Sequence, residues 1–456
     1  MKVLKSFYLS SRLFIVAAGL VVLFVFSYFL PQLLVISNLL FAAIVFLLVS
    51  DALILFINKK GIYSYRTVPN RLSNGDDNEI KIFLENRYAF RITCEIIDEI
   101  PFEFQIRDLY FKISVEPGTT KIFTYNLRPV KRGEYNFGST NIFTASPIGF
   151  VRRRFSFEGT KIVPVYPSYI QMKKYELMAI SDRLTEAGVK RIRRVGHSME
   201  FDHIKDYVRG DDYRTINWKA TARKTRLMVN HFDDEKSQQV YSVIDIGRVM
   251  KMPFACPPTP DFSGGRREGM SLLDYAINSS LVISSIAMHK QDKAGLVTFS
   301  NKVSNILPAD RQARQMQNIL EILYNQKTDF LESDFEILTS TILQKISHRS
   351  LILLYTNFES LNALQRQLAY LRRLSRAHLV IVIFFINTEL YSLIDKPAKN
   401  VEEIFHKTIA EKFAFEKRLI VKELARYSIQ SILTTPQNLS VNTINKYLEL
   451  KARGLI

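Results

Sequence analysis

Acids and bases crowd together between Glu200 and Arg223, around a glycine, Gly210, and Trp218, the single tryptophan of the chain. An exposed helix face would space such charges at i, i+4 and leave out the glycine and the tryptophan. The pattern instead predicts a turn at 209–212 followed by a short helix from about Tyr213 to Arg223. Asp211 or Asp212 is the expected N-cap, because a carboxylate accepts from the unpaired N–H groups of a first turn. Glu200, Asp202, His203 and Asp206 could in principle hold a metal. Lys205, Arg209 and Arg214 stand among them, however, and predict ion pairs instead. Arg214, Trp218 and Arg223 read as buried anchors, an arginine forking onto a carboxylate while the indole fills apolar volume.

The order Glu200-Phe201, Tyr207, Gly210-Asp211-Asp212, Arg214-Thr-Ile-Asn-Trp218 and Ala-Arg223 resembles the signature of the domain of unknown function 58 family. The resemblance runs from about Leu13 to the C-terminus and says almost nothing about chemistry. It implies a membrane anchor, a von Willebrand A-like domain and a partner, a MoxR-type AAA+ ATPase. Lys131-Arg-Gly-Glu-Tyr135 and Ser146-Pro-Ile-Gly-Phe150 resemble a second signature of the family, in which an Asp commonly stands at the place of Ser146.

A second place for chemistry is the end of the first strand of the C-terminal half, Asp245-Ile-Gly247-Arg248-Val249-Met250. Ligands of open α/β sheets bind beyond the carboxyl ends of the strands. By resemblance, an Asp-x-Ser-x-Ser run there would hold Mg²⁺, a hard ion that takes oxygen ligands. Here Gly247 and Val249 replace both serines, and Asn357 stands where an acid is frequent. Thr328 is the candidate for an intermediate threonine. Asp245, Thr328 and Asn357 therefore outline a degenerate metal site, and no cofactor is expected. Asp245 and Arg248 could equally pair with each other.

The elements that must position these residues fall into four stretches. Residues 1–61 read as a transmembrane helical hairpin. Leu13–Leu30 is about 27 Å as a helix, and a second apolar run follows Pro31-Gln32 to Ile57. No small-residue cleavage site follows the first run, which argues against a removed signal peptide. Lys2, Lys5, Arg12, Lys59 and Lys60 bracket an uncharged loop, so the positive-inside rule places both ends, and the bulk of the chain, in the cytoplasm. Asp51 reads as an interfacial carboxylate. Residues 62–170 read as a β-sandwich of immunoglobulin-like type, 171–235 as the signature segment and 236–456 as the von Willebrand A-like α/β domain. In the last, strands at 240–245, 295–300, 351–357, 379–385 and 428–433 alternate with helical periodicity and predict a parallel sheet.

The chain has 456 residues, with 62 Lys+Arg against 44 Asp+Glu, a formal charge of +18. That balance fits nucleic acid, anionic lipid or an acidic protein. Arg152-Arg153-Arg154 and the basic run at 190–194 read as solvated faces that could touch anionic lipid. Neither is interleaved with aromatics, so nucleic acid is not expected. Cys94 and Cys256 lie in different domains and predict neither a disulfide framework nor a thiolate metal site. No Walker A, Gly-x-Ser-x-Gly or His-Glu-x-x-His run occurs. The reading is a membrane-anchored, non-enzymatic adaptor for a MoxR-type ATPase in protein assembly or envelope stress. Its rivals are a metal-dependent hydrolase using Asp245 and nearby acids, and a nucleic-acid-binding protein. Residues 251–269, rich in Pro and Gly, are either a contact element or an insertion.

Overall fold

The computed structural model describes every residue outside 1–5, 59, 107–108, 181–187, 190–199, 209, 234–236, 255–268, 396, 399 and 456; for 200–202 and 231–233 it describes the backbone alone. The fold is mixed α/β with two apolar N-terminal helices, and it divides into two compact units.

The first unit takes in Met1–Tyr166. Helices Ser11–Phe29 and Leu33–Ile57 are long and apolar enough to cross a membrane. After them the apolar period drops to two, and antiparallel strands follow. A five-stranded sheet runs in the order Phe7–Leu9, Val151–Phe157, Thr140–Ala145, Ile92–Asp98, Tyr110–Val115. Ile62–Thr67, Asn78–Asn86 and Thr120–Leu127 form a second sheet. The alternating inward residues Ile80, Ile82, Leu84, Ile92, Cys94 and Ile96 share one core. Burial pushes the Cys94 thiol up to about 12, so it is inert.

Two buried carboxylates organise this unit. Asp98 takes an ion pair from Arg66 at 2.5 Å and hydrogen bonds from the Tyr125 hydroxyl and Thr140 Oγ1. Asp51 is fully buried. It accepts from the Ser146 hydroxyl and, at 2.8 Å each, from the backbone N–H groups of Phe150 and Val151. The acid of the second apolar helix thus caps the Ser146–Phe150 turn of the sandwich. Arg153 reinforces the joint by donating to the carbonyls of Leu55 (2.5 Å) and Asn58 (2.7 Å), its guanidinium 4.8 Å from the Phe56 ring.

The arginine run is therefore not a solvated face. It lies on the strand Val151–Phe157, where Arg152 pairs with Glu95 at 2.6 Å and Arg154 donates to Asn141. The other basic run, 190–194, lies outside the described residues.

The second unit contains a six-stranded sheet. Its order is Val303–Asp310, Lys293–Phe299, Gln239–Asp245, Leu351–Tyr355, Leu379–Phe385, Gln430–Thr434. All neighbours are parallel except the first pair. The sheet is thus parallel as expected from the alternation, with an antiparallel edge hairpin that the pattern did not reveal. Helix Leu272–His289 packs on one face, while Phe335–Lys345 and Leu361–Ala377 pack on the other. Asp292 ties the last helix, Leu439–Ala452, to this core. It accepts from the Tyr447 hydroxyl, from Lys451 Nζ at 2.6 Å and from the Gln238 N–H at 3.2 Å.

Asp51→Ala is expected to strand two backbone N–H groups and a hydroxyl at the joint, each costing about 1–3 kcal/mol when left buried without a partner. Asp51→Asn keeps an acceptor and should cost less. Thermal unfolding of the detergent-solubilised chain reads both; an unchanged melting temperature in Asp51→Ala would refute the joint.

Candidate functional site

The signature forms a small excursion of its own. Strands Glu200–Asp206 and Met228–Asp233 pair antiparallel, and a 3-10 turn (Tyr213–Thr215) and a short helix (Trp218–Lys224) lie between them. The expected turn and helix are thus present, with a break at 216–217. Asp212 is the cap, accepting from the Arg214 N–H at 2.9 Å. Gly210 sits at φ +116°, a backbone state that favours glycine. Asp211 holds the turn by accepting from Lys205 Nζ and from the Val208 N–H, each at 3.0 Å. Asn217 caps the helix through Ala220 N–H and reaches Asn230, while Thr221 accepts from the Met228 N–H.

The expected buried anchors are on the outside. Trp218 is 69% exposed, and Arg214 and Arg223 are exposed as well. Tyr213, Val208 and Leu227 share that exposure, and the Arg214 guanidinium lies 5.7 Å from the Tyr213 ring. The small polar residues do the structural work here, and the large aromatic and cationic ones face solvent. Tyr207 is half-buried and its N–H bonds the Leu227 carbonyl. Glu200 and Phe201 are placed on the first strand, with side chains outside the description.

At the sheet edge, Asp245 is fully buried. It accepts from Ser333 Oγ at 2.5 Å, Thr356 Oγ1 at 2.7 Å and the Gly247 N–H at 2.8 Å. Burial raises its pKa, and those three donors oppose the rise. Ser333 is the residue that sequence reasoning missed. A Cβ built on Gly247 would fall 2.0 Å from its hydroxyl. Ser333 therefore fills the space that a side chain at 247 would take, and its hydroxyl supplies the bond to Asp245. Val249 packs against the core. Thr328 is turned to the loop, donating to the Ile246 carbonyl at 2.5 Å. Arg248 lies exposed at the rim of the pocket above Asp245, so the Asp245–Arg248 pairing gives way to the hydroxyl partners.

Asn357 Oδ1 accepts from Lys417 Nζ at 2.7 Å, and the same ammonium donates to the Phe358 carbonyl at 2.5 Å. A cation from the helix Val401–Arg426 thus occupies the place where a second acid would serve a metal. Donors take up the Asp245 oxygens and an ammonium takes the Asn357 oxygen, so this set does not fit Mg²⁺. Among the described residues no cluster of three or more His, Cys, Asp or Glu could hold an ion either. The described ends of the 251–269 loop are pinned, Phe254 N–H to the Met270 carbonyl and Leu272 N–H to the Met252 carbonyl.

Burial lowers the Lys417 pKa to about 8. Between pH 8 and about 10.5 the unfolded chain keeps this proton while the folded chain releases it. Stability relative to Lys417→Met should therefore rise as pH climbs through that window, and stay flat below it. Chemical denaturation across pH 7–11 checks the slope; a flat difference would mean an ordinary, solvated lysine.

Comparison with known proteins adds a lineage to this geometry. A relative from Bacillus subtilis (strain 168), "Uncharacterized protein YeaD", is 28% identical over 230 residues, 48% of this chain and 57% of its own length. The chain therefore spans little more than half of that relative. Among solved structures, an aerotolerance-related membrane protein from Bacteroides fragilis is 14% identical at a TM-score of 0.26, covering 47% of this chain and 98% of that one. BatB from Bacteroides thetaiotaomicron, a conserved hypothetical protein, is 12% identical at a TM-score of 0.27, with the same coverage. Residues 203–393, from the signature strand through the sheet edge at Asp245 and Thr356, match the family described as protein of unknown function DUF58.

Proposed function

We propose that this chain is a membrane-anchored, non-enzymatic interaction protein whose signature excursion is its docking surface, and that a MoxR-type AAA+ ATPase is the partner. The observation that carries the reading is the exposure of Trp218 beside Tyr213, Arg214 and Arg223. A tryptophan at 69% exposure contributes little to its own fold. Tryptophan, tyrosine and arginine are the residue types that dominate binding hot spots. The excursion is stapled by Asp211, Asp212, Asn217 and Thr221, so it presents those side chains on a preformed frame. The resemblance supplies the ATPase and the setting, protein assembly or envelope stress.

The same reading takes the second unit as von Willebrand A-like and the first as immunoglobulin-like. Support comes from a parallel sheet with an acid ending a central strand, and from alternating inward residues on antiparallel strands. It requires no metal or cofactor. The anchor is placed in the cytoplasmic membrane with both ends inside, on the basic residues that bracket the apolar pair.

Trp218→Ala and Arg214→Ala should leave the melting temperature nearly unchanged, within about 0.5 kcal/mol. Each should weaken retention of the ATPase in pull-downs from detergent-solubilised membranes with nucleotide present by tenfold or more, about 1.4 kcal/mol. Full retention by Trp218→Ala would overturn the docking assignment. Reporter fusions after Lys60 and at Ile456 should both read as cytoplasmic; an external signal at either would reverse the orientation.

A further inference from the structure

The apolar helix Leu33–Ile57 carries four polar side chains, Ser37, Asn38, Ser50 and Asp51. Three of them are satisfied. The hydroxyls of Ser37 and Ser50 donate to the Leu33 and Leu47 carbonyls of their own helix. Asp51 is taken up by the Ser146 hydroxyl and the N–H groups of Phe150 and Val151. Asn38 is exposed, and its amide bonds to none of the described residues. The first apolar helix offers it nothing, since the Ser27 hydroxyl there already donates to the Phe24 carbonyl.

The Asp51 joint sets the depth of that amide, given the membrane anchor on which this inference rests. The Ser146–Phe150 turn brings backbone N–H groups up to Asp51, so the hydrocarbon ends at about that residue. Asn38 lies about 20 Å further along the helix, inside a hydrocarbon core about 30 Å thick. No water serves an amide at that depth. The side chain is also too short to snorkel to the interface as Lys or Arg can. A carboxamide there takes its hydrogen bond from another helix.

We propose that Asn38 pairs with Asn38 of a second copy, the two Leu33–Ile57 helices packing in parallel within the membrane. A carboxamide both donates and accepts, so it is its own complement. The same Asp51 joint seats every copy at one depth, which brings the two amides level. About a two-fold axis along the membrane normal, each residue of a parallel pair faces its own counterpart. Asn38, Ala42, Val45 and Val49 are all exposed and recur at the alternating four- and three-residue spacing of a coiled-coil seam. The buried or half-buried Ser37, Ile44 and Leu48 lie on another side of the helix. Ala42 lets the two backbones approach closely. The amide, not the apolar surface around it, calls for the partner, and a different protein would need a polar group at this same level.

The test uses the full chain in proteoliposomes, in a Cys256→Ser background. Energy transfer between copies labelled at the C-terminus reads the pairing. Asn38→Leu, which keeps the helix apolar enough to insert, should weaken it about tenfold. Asn38→Gln keeps donor and acceptor and should retain most of it. Val45→Cys should cross-link to a second copy, under a lipid-soluble oxidant, about tenfold faster than Phe46→Cys, which points about 100° away around the helix. Pairing that survives Asn38→Leu, or equal cross-linking at Val45 and Phe46, would overturn the proposal. So would Asn38-dependent capture of a different membrane protein by a chain that stays single in proteoliposomes. Release of the wild-type chain from membranes by alkaline carbonate would sink the anchor itself, whereas an integral but unpaired chain sinks the pairing alone.

Discussion

A carboxylate taken out of water is tolerated only where donors surround it, and that constraint fixes the joints of this protein. Asp51, Asp98, Asp245 and Asp292 are 0–4% exposed. Each joins elements that lie far apart in sequence. Asp51 joins an apolar helix to the turn at Ser146, Asp98 gathers Arg66, Tyr125 and Thr140, and Asp292 receives the last helix through Tyr447 and Lys451. Asp245 closes the sheet edge with Thr356 and Ser333. Hydrophobic periodicity builds the sheets and helices. These acids decide how the pieces meet, because any slip leaves a buried charge without partners.

The regular elements were readable because their period was strong. Strand Leu379–Phe385 has the bounds the sequence predicts, being a buried run with a clear period. Strand Val151–Phe157 was masked by its own composition. Three consecutive arginines look like a solvated cluster, and nothing local shows that Glu95, Asn141 and the Leu55 and Asn58 carbonyls will receive them. The antiparallel strand Val303–Asp310 was missed for a related reason, since half-buried Asn305 and Asp310 and exposed Pro308 give no clean alternation.

The site was less legible than the fold. Asp245, the loss at Gly247 and the substitution at Asn357 could all be seen in the sequence. Ser333 could not, because it reaches Asp245 from a loop 88 residues away and no motif marks it. Trp218 misled for a general reason: a lone tryptophan beside paired charges suits a buried anchor and an exposed hot spot equally well. Only the placement of Asn217 and Thr221, which carry the staples, separates the two.

The closed sheet edge bears directly on where function lies. In an open α/β sheet the carboxyl edge is the usual place for a ligand, since helix N-termini and loops converge there. Here Ser333 occupies the space over Gly247, and Lys417 provides a fixed positive charge at Asn357. A mobile ion at that edge would meet an ammonium already seated on Asn357 and three donors already seated on the Asp245 carboxylate. The same helix that supplies Lys417 carries an exposed Phe405–Phe413 ridge on its preceding turns. An internal cation at the edge and an apolar ridge outside it are therefore parts of one element.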